Sequence, residues 1–294
     1  MSHPKVNVHN GKIEFTSEYS SLSLEEAQQF ASDIQKNAQE ARLNRKIQKL
    51  RDYLQAWMQP IEVEEFILGV EGVDPWEGPS HFVELSIPFA ISKSVVSQQF
   101  FSLVMDYNPS RYVSADFPVD MVSWFDAILF CNTLSEYLHL EPCYSFTKEG
   151  VVWHRERNGY RLPSEAEWTF TAKAKQDYEY SGGNHLEKVS SWKDDLSQPP
   201  VIGRGKPNGF GLFDMSGTCF SWCFDRFGAF DMERKSNPIG VSKGHLRVCK
   251  GGAWNREAWF SRIDFRCGME PKQGYSNVGL HCSIRYLRPM KDRD

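Results

Sequence analysis

The residues best suited to chemistry in this chain are its seven cysteines, Cys131, Cys143, Cys219, Cys223, Cys249, Cys267 and Cys282. A thiolate is both a soft metal ligand and a nucleophile. An odd number in a chain of 294 residues is not a disulfide framework. Cys219 and Cys223 are spaced C-x3-C, but no second cysteine pair or histidine pair follows them at zinc-finger spacing. Reduced, buried thiols are therefore the expectation. Other catalytic spacings are missing too. The sequence holds no phosphate-binding P-loop and no H-E-x-x-H pair. Serine, histidine and aspartate are all present, yet no pattern singles out a triad.

Bulk properties narrow the partners. A net charge of −4 and the lack of a Lys/Arg-rich run argue against nucleic acid. No apolar stretch approaches the roughly 18–20 residues a membrane span needs. Met1 to Ser20 is polar and carries no signal-peptide core. Nine Trp and twenty Phe are a heavy aromatic load, which serves a core first and a binding surface second.

The elements that must position these residues fall in two parts, a helical extension at 1–60 and a domain at 61–294. Ser23 and Glu26 have capping-box spacing. Ala27, Phe30, Ile34, Ala38 and Ala41, then Ile47, Leu50, Leu54 and Trp57, recur at helical spacing until Pro60. This predicts a long amphipathic helix, or two joined near Asn44, packed on the main domain rather than forming a coiled coil. Phe82 to Ile91 alternates as a strand, and Val95 to Met105 reads as a helix. Ser123 caps a helix to about Leu138, and Tyr144 to Trp153 forms a hairpin around Glu149-Gly150. Ser164 and Glu167 make a second capping box, opening a helix to about Ala174. Beyond Lys175 the pattern is loops with short strands at Arg247–Lys250 and His281–Arg285. So much irregular backbone needs local hydrogen bonds, and in some proteins metal ions, to stay ordered.

Four segments in series carry a resemblance. They are Pro118 to Ala127 with Phe130-Cys-Asn and Leu134-Ser, Asn158 to Trp168, Pro207 to Gly217 continuing to Trp222, and Arg247 to Trp254 followed by Arg262, Arg266, Pro271 and Gly279. Running from Pro118 to Gly279, they together resemble the formylglycine-generating-enzyme (sulfatase-modifying-factor) domain, which the resemblance extends over 61–294. The resemblance implies an α+β, loop-rich fold of the C-type-lectin-like kind, in the formylglycine-generating-enzyme subtype. Trp124, Trp168, Trp222 and Trp254 would then be scaffold residues filling the core.

The enzyme of that family uses two cysteines shortly after a Gly-Gly-Ser motif to bind copper. By alignment those positions are Arg256 and Ser261, neither of which can replace a copper thiolate. Cys267 lies nearby, out of register and alone. The family's calcium motif is degraded at Thr218 and Ser221, although Asp194, Asp195 and Asn208 could still contribute hard oxygen ligands to a structural calcium. The iron-dependent sulfoxide synthases of the same fold need a His-x3-His-x-Glu site. The helix at 24–58 has no histidine, and His3, His9 and His81 do not have that spacing.

The remaining branch is not enzymatic. The chain most resembles the C-type-lectin-fold variable proteins of diversity-generating retroelements, the treponemal one among them. They display a diversified ligand-binding surface between a Gly-Gly-x-Trp motif and the last glycine-containing strand. Gly251, Gly252, Trp254, Arg262, Arg266 and Gly279 keep that scaffold. Within the candidate segment 250–285 the resemblance assigns the surface to Asn255, Arg256, Glu257, Trp259, Phe260, Ser261, Asp264, Phe265, Cys267, Gly268, Tyr275, Ser276 and His281. Aromatic, arginine and small polar residues on loops suit a paratope. Trp259 and Phe260 could equally be core, and Asp264 could simply pair with Arg262 and Arg266. The expected function is non-enzymatic binding of a macromolecular ligand, a protein, by a monomer without cofactor at a cell surface or in secretion. The alternative is an enzyme or pseudo-enzyme of this fold with unassigned chemistry.

Overall fold

The computed structural model describes residues 6–9, 12–15, 23–192, 196–230, 232 and 236–286. It divides into two compact units, Met1–Leu50 and Arg51–Asp294. The first holds a hairpin of β1 (Val6–His9) and β2 (Lys12–Phe15), in which Val6 faces Phe15. It also holds most of helix α1 (Leu24–Trp57). The Ser23–Glu26 capping box forms as the spacing predicts, with Ser23 N donating to Glu26 Oε2 at 2.8 Å. α1 is one continuous helix with no break at Asn44. Its expected apolar stripe holds only at the C-terminal end. Residues 35–45 are exposed all round, and the buried positions are Ile47, Leu50, Leu54 and Trp57.

Helix α1 ends at Trp57, before Pro60, and the chain runs straight into β3 (Met58–Ile61). Pro60 sits in that strand opposite Ala90. The position tolerates proline because β3 is an edge strand, where a missing ladder donor costs little. The last turns of α1 belong to the second unit. There Tyr53 stacks on Phe100 at 4.3 Å, and the Trp57 indole donates to Ser94 Oγ at 2.9 Å.

The expected single strand over 82–91 is two. β4 (Glu65–Leu68) pairs with β5 (His81–Glu84), and β6 (Phe89–Ser92) joins a different sheet. Between them the Ser86 and Ile87 amides donate to Asn237 Oδ1, which takes the backbone out of any ladder just before Pro88. Helix α2 (Gln98–Met105) starts three residues later than its apolar pattern, capped by Ser97. α3 (Trp124–Tyr137) carries the Ser123–Asp126 capping box. Hairpin β7 (Tyr144–Thr147)–β8 (Gly150–Trp153) follows, then β9 (Tyr160–Arg161) and α4 (Glu165–Lys173), with its Ser164–Glu167 box. A short helix α5 (Leu186–Val189) had no sequence signal. The C-terminal strands are β10 (Phe220–Arg226), β11 (Arg247–Lys250), β12 (Cys267–Met269), β13 (Val278–Gly279) and β14 (Ser283–Arg285).

Two four-stranded sheets organise the second unit. One runs β3-β6-β14-β9 and ties the start of this unit to its end; the other runs β12-β11-β10-β13. One core includes Phe89, Ile91, Trp168, Phe170, Met215, Cys223, Val248 and Ile263. Trp124, Trp168, Trp222 and Trp254 are buried, as scaffold residues must be. Trp124 and Trp222 each satisfy the indole N–H on a backbone carbonyl, Cys223 O and Val122 O, both at 2.9 Å. Arg247 lies over the Trp124 ring at 3.7 Å, an arrangement in which the ring face stabilises the cation.

Candidate recognition surface

Strands β11 and β12 are joined by the loop 251–266, which carries most of the predicted surface. Gly251 and Gly252 open it, both with positive φ, at 95° and 66°. A side chain at Gly252 would collide with Ser261, and one at Gly251 would meet Met215 O at 2.9 Å. The two glycines therefore permit the loop to fold back tightly onto the sheet. It then forms a 3-10 turn at Ala258–Ser261.

The arginines fix this turn from below. Arg262 makes a two-pronged ion pair with Glu77, at 3.0 and 2.7 Å, and also donates to Trp259 O. Arg266 makes a second with Glu165, at 2.7 and 2.6 Å, and donates further to the carbonyls of Trp76 and Gly228. All four side chains are buried. Fork-on-carboxylate pairs of this kind impose direction as well as attraction. The expected pairing of Asp264 with these arginines does not occur, since both are taken. Asp264 instead binds Lys173 of α4 at 3.0 Å.

The predicted surface residues separate by burial. Asn255, Arg256, Glu257 and Trp259 are exposed; Phe260, Asp264, Phe265, Cys267, Gly268, Tyr275 and Ser276 are half-buried. Ser261 and His281 are fully buried and do not belong to the surface. Ser261 is trapped against Gly252. His281 lies inside, with Nδ1 2.8 Å from Ser221 Oγ, and burial lowers its pKa to about 3. Gly268 contributes backbone only, because any side chain there would meet the Phe227 ring. Phe260 turns inward, edge-on to Phe265 at 5.1 Å. Cys267 is not alone. It stands directly across the ladder from Cys249.

Trp259 is 48% exposed and lies over the Arg262 guanidinium at 3.5 Å. It forms one wall of a depression of about 550 Å³, together with Val70, Gly72, Val73, Asp177, Tyr178, Glu179, Arg262 and Asp264. A neighbouring hollow of about 510 Å³ shares Val70, Asp177 and Asp264 and extends to Ile67, Lys173 and Lys175. The loops at 70–73 and 177–179 were not foreseen as part of any site. The one hint was Tyr178, an aromatic in a polar run after a helix end. The structure ties the second of these loops to the C-terminal one through Ile263 N, which donates to Glu179 O at 2.9 Å. Asn255 and Arg256 face elsewhere. Asn277 donates to Asn255 Oδ1, and the Trp192 indole donates to Arg256 O. Tyr275 lies by Trp222, and its hydroxyl accepts from Glu270 N.

The family's metal positions do not fit their metals. Arg256 is a cation and Ser261 a sealed hydroxyl, so no copper thiolate pair exists there. At the calcium positions Thr218 donates to Asp214, and Ser221 is engaged with His281. Asn208 spends its amide on Thr171 O and Ser181 Oγ, and its oxygen on two backbone amides. Asp194 and Asp195 lie outside the described residues. Among the described residues no three His, Cys, Asp or Glu side chains converge as a metal site would require.

A fold with two small sheets, capped helices and a long C-terminal loop locked by arginines defines a C-type-lectin-like scaffold of the formylglycine-generating-enzyme subtype. The profile of the sulfatase-modifying factor enzyme 1-like domain matches residues 61–286, and the chain belongs to that family. Among solved structures it is similar to Treponema denticola variable protein 1, with a TM-score of 0.73 and 28% identity over 78% of this chain and 95% of that one. It is also 30% identical to the chaperone protein LppX of Paenibacillus barcinonensis over 63% of this chain and 78% of that protein. The formylglycine-generating enzyme of Bos taurus is 27% identical, and the match spans less than half of that enzyme.

Proposed function

We propose that this chain is a non-enzymatic ligand-binding protein of the variable-protein kind, whose recognition surface is built on the loop 251–266. One observation carries the reading: Trp259 is a large exposed aromatic held rigid by a buried ion pair at the mouth of an open depression. A solvent-facing aromatic in a fixed pose is the usual anchor of a recognition surface, because little freedom is lost when it binds. The likeness to the treponemal variable protein supports the same assignment. The ligand is a macromolecule, read by Trp259 and Tyr178 as anchors, with Asp177 and Glu179 as polar neighbours. The chain acts as a monomer and needs no cofactor for binding.

The test is genetic and physical. The DNA downstream of the gene should hold a near-copy of the codons for residues 250–290, differing only at adenines, beside a reverse-transcriptase gene. Peptides selected by display on the wild-type protein should lose binding to the Trp259→Ala protein. Equal binding to that variant would remove Trp259 as an anchor, and the absence of both the repeat and the reverse transcriptase would remove the diversified reading.

The likeness to a chaperone protein favours a second reading, in which the same surface holds a segment of an incompletely folded client. Suppression of aggregation of a denatured test protein, lost on Trp259→Ala, separates it from the first.

A further inference from the structure

We propose that Cys249 and Cys267 form an intrachain disulfide that closes the neck of the recognition loop. Cys249 lies inside β11, and the register of β11 against β12 sets it directly opposite Cys267. Partners across an antiparallel ladder point to one face, with Cβ atoms roughly 4.5–5.5 Å apart. A disulfide takes Cβ atoms about 3.5–4.5 Å apart and Cα atoms about 4.4–6.8 Å apart. A shift of about 1 Å in the short strand β12 bridges that difference. The Cys267 sulfur already lies 3.7 Å from the Cys249 carbonyl oxygen. Burial holds the Cys249 thiol well above the ordinary thiol range, and among the neighbouring thiols Cys267 adds most to that shift.

Access is asymmetric. Cys267 is only partly buried and Cys249 is fully buried, so an oxidant meets the first more readily and the second resolves the product. With a low-molecular-weight disulfide as oxidant, the Cys267 thiolate attacks one of its sulfurs. That forms a mixed disulfide and releases one thiol. The Cys249 thiolate then attacks the Cys267 sulfur and expels the second thiol. The protein loses two protons and two electrons, and the oxidant becomes two thiols. Lys250, Arg256 and Arg266 favour the Cys267 thiolate, but burial outweighs them and pushes its pKa up to about 12. The exchange is therefore slow at neutral pH and quickens about tenfold per pH unit below that value.

The consequence lies in the loop. Residues 250–266 lie between the two sulfurs, so the bond would hold both ends of the segment bearing Trp259. This inference stands whether or not the loop binds a ligand, since its test uses none. The full-length folded protein is treated with oxidised glutathione at pH 8, alkylated, digested without reduction and mapped by mass spectrometry. The expected product is one linked peptide pair joining Cys249 to Cys267, lighter by two hydrogens, abolished by reduction and absent from Cys267→Ser. Amide exchange across residues 253–261 should slow roughly tenfold in the oxidised protein. A glutathione adduct that persists on Cys267, a bond from Cys267 to any other cysteine, no reaction at all, or unchanged exchange in the loop would each overturn the proposal. Cys267→Ala serves as a second variant that keeps the position small and apolar, should Cys267→Ser unfold.

Discussion

Trp259, Phe260 and Ser261 are consecutive, and their three fates show what a residue's identity does and does not reveal. Trp259 faces solvent, Phe260 leans on Phe265, and Ser261 is sealed under Gly252. Trp259→Ala should change stability by less than about 1 kcal/mol, the range of an exposed cation–π contact. Phe260→Ala should cost about 2 kcal/mol through lost apolar burial. Urea unfolding of both variants would check the ordering, and a Trp259 variant that fails to fold would make that ring a core residue. The amino-acid types were legible here, but exposure was not, because a one-residue turn of a 3-10 segment decides it. Buried acids give a second prediction. Asp214 accepts from Gly203 N and Thr218 Oγ1, and burial raises its pKa to about 7 from 3.8. The folded state thus holds this proton where the unfolded chain has released it. The associated stability is present below about pH 4 and is lost as pH rises towards 7, on the order of a few kcal/mol. His281, lowered to about 3, acts with the opposite sign over pH 3–6.5. The clean readout is therefore a difference: Asp214→Asn should become more stable relative to wild type as pH rises from 4 to 7 in thermal unfolding. A pH-independent gap would show that Asp214 does not titrate there.

At the scale of elements, the loop 251–266 is irregular yet held. Its rigidity comes from Arg262–Glu77 and Arg266–Glu165, each reaching out of the loop to a distant segment. Breaking such a pair strands a buried charge, which costs about 3–5 kcal/mol. Glu77→Ala should therefore destabilise the protein by that amount and loosen Trp259, seen as a red-shifted or more readily quenched tryptophan signal. Little loss of stability would mean Arg262 reaches water when its partner is gone. The capped helices were legible because a capping box is a local code, and Ser123–Asp126 and Ser164–Glu167 form where the sequence put a cap. The split at Ser86–Pro88 was not, since its cause is Asn237, some 150 residues away. The same holds for the walls of the depression: Val73 and Tyr178 come to Trp259 through tertiary pairing that no spacing encodes.

For the whole molecule, the change of sequence pattern after the long helix puts the domain boundary at Ile61, whereas the second compact unit begins at Arg51 and the family profile at residue 61. The ten residues in dispute carry the end of α1 and most of the edge strand β3. Their contribution can be argued from packing within that unit. Tyr53 stacks on Phe100, Trp57 meets Phe100 edge-on at 5.1 Å, and the Trp57 indole is hydrogen-bonded to Ser94. Two aromatic rings of this kind bury enough apolar surface to stabilise by about 2–3 kcal/mol each. A protein beginning at Arg51 should keep the cooperative unfolding and near-ultraviolet circular dichroism of the full chain's second unit. One beginning at Met58 should lose about 4–6 kcal/mol, because Phe100 is left uncovered and β3 loses its lead-in. If both shortened proteins unfold at the same urea concentration, the boundary at Ile61 is the physical one. If the shorter alone falls, the last turns of α1 belong to the domain that carries the loop 251–266.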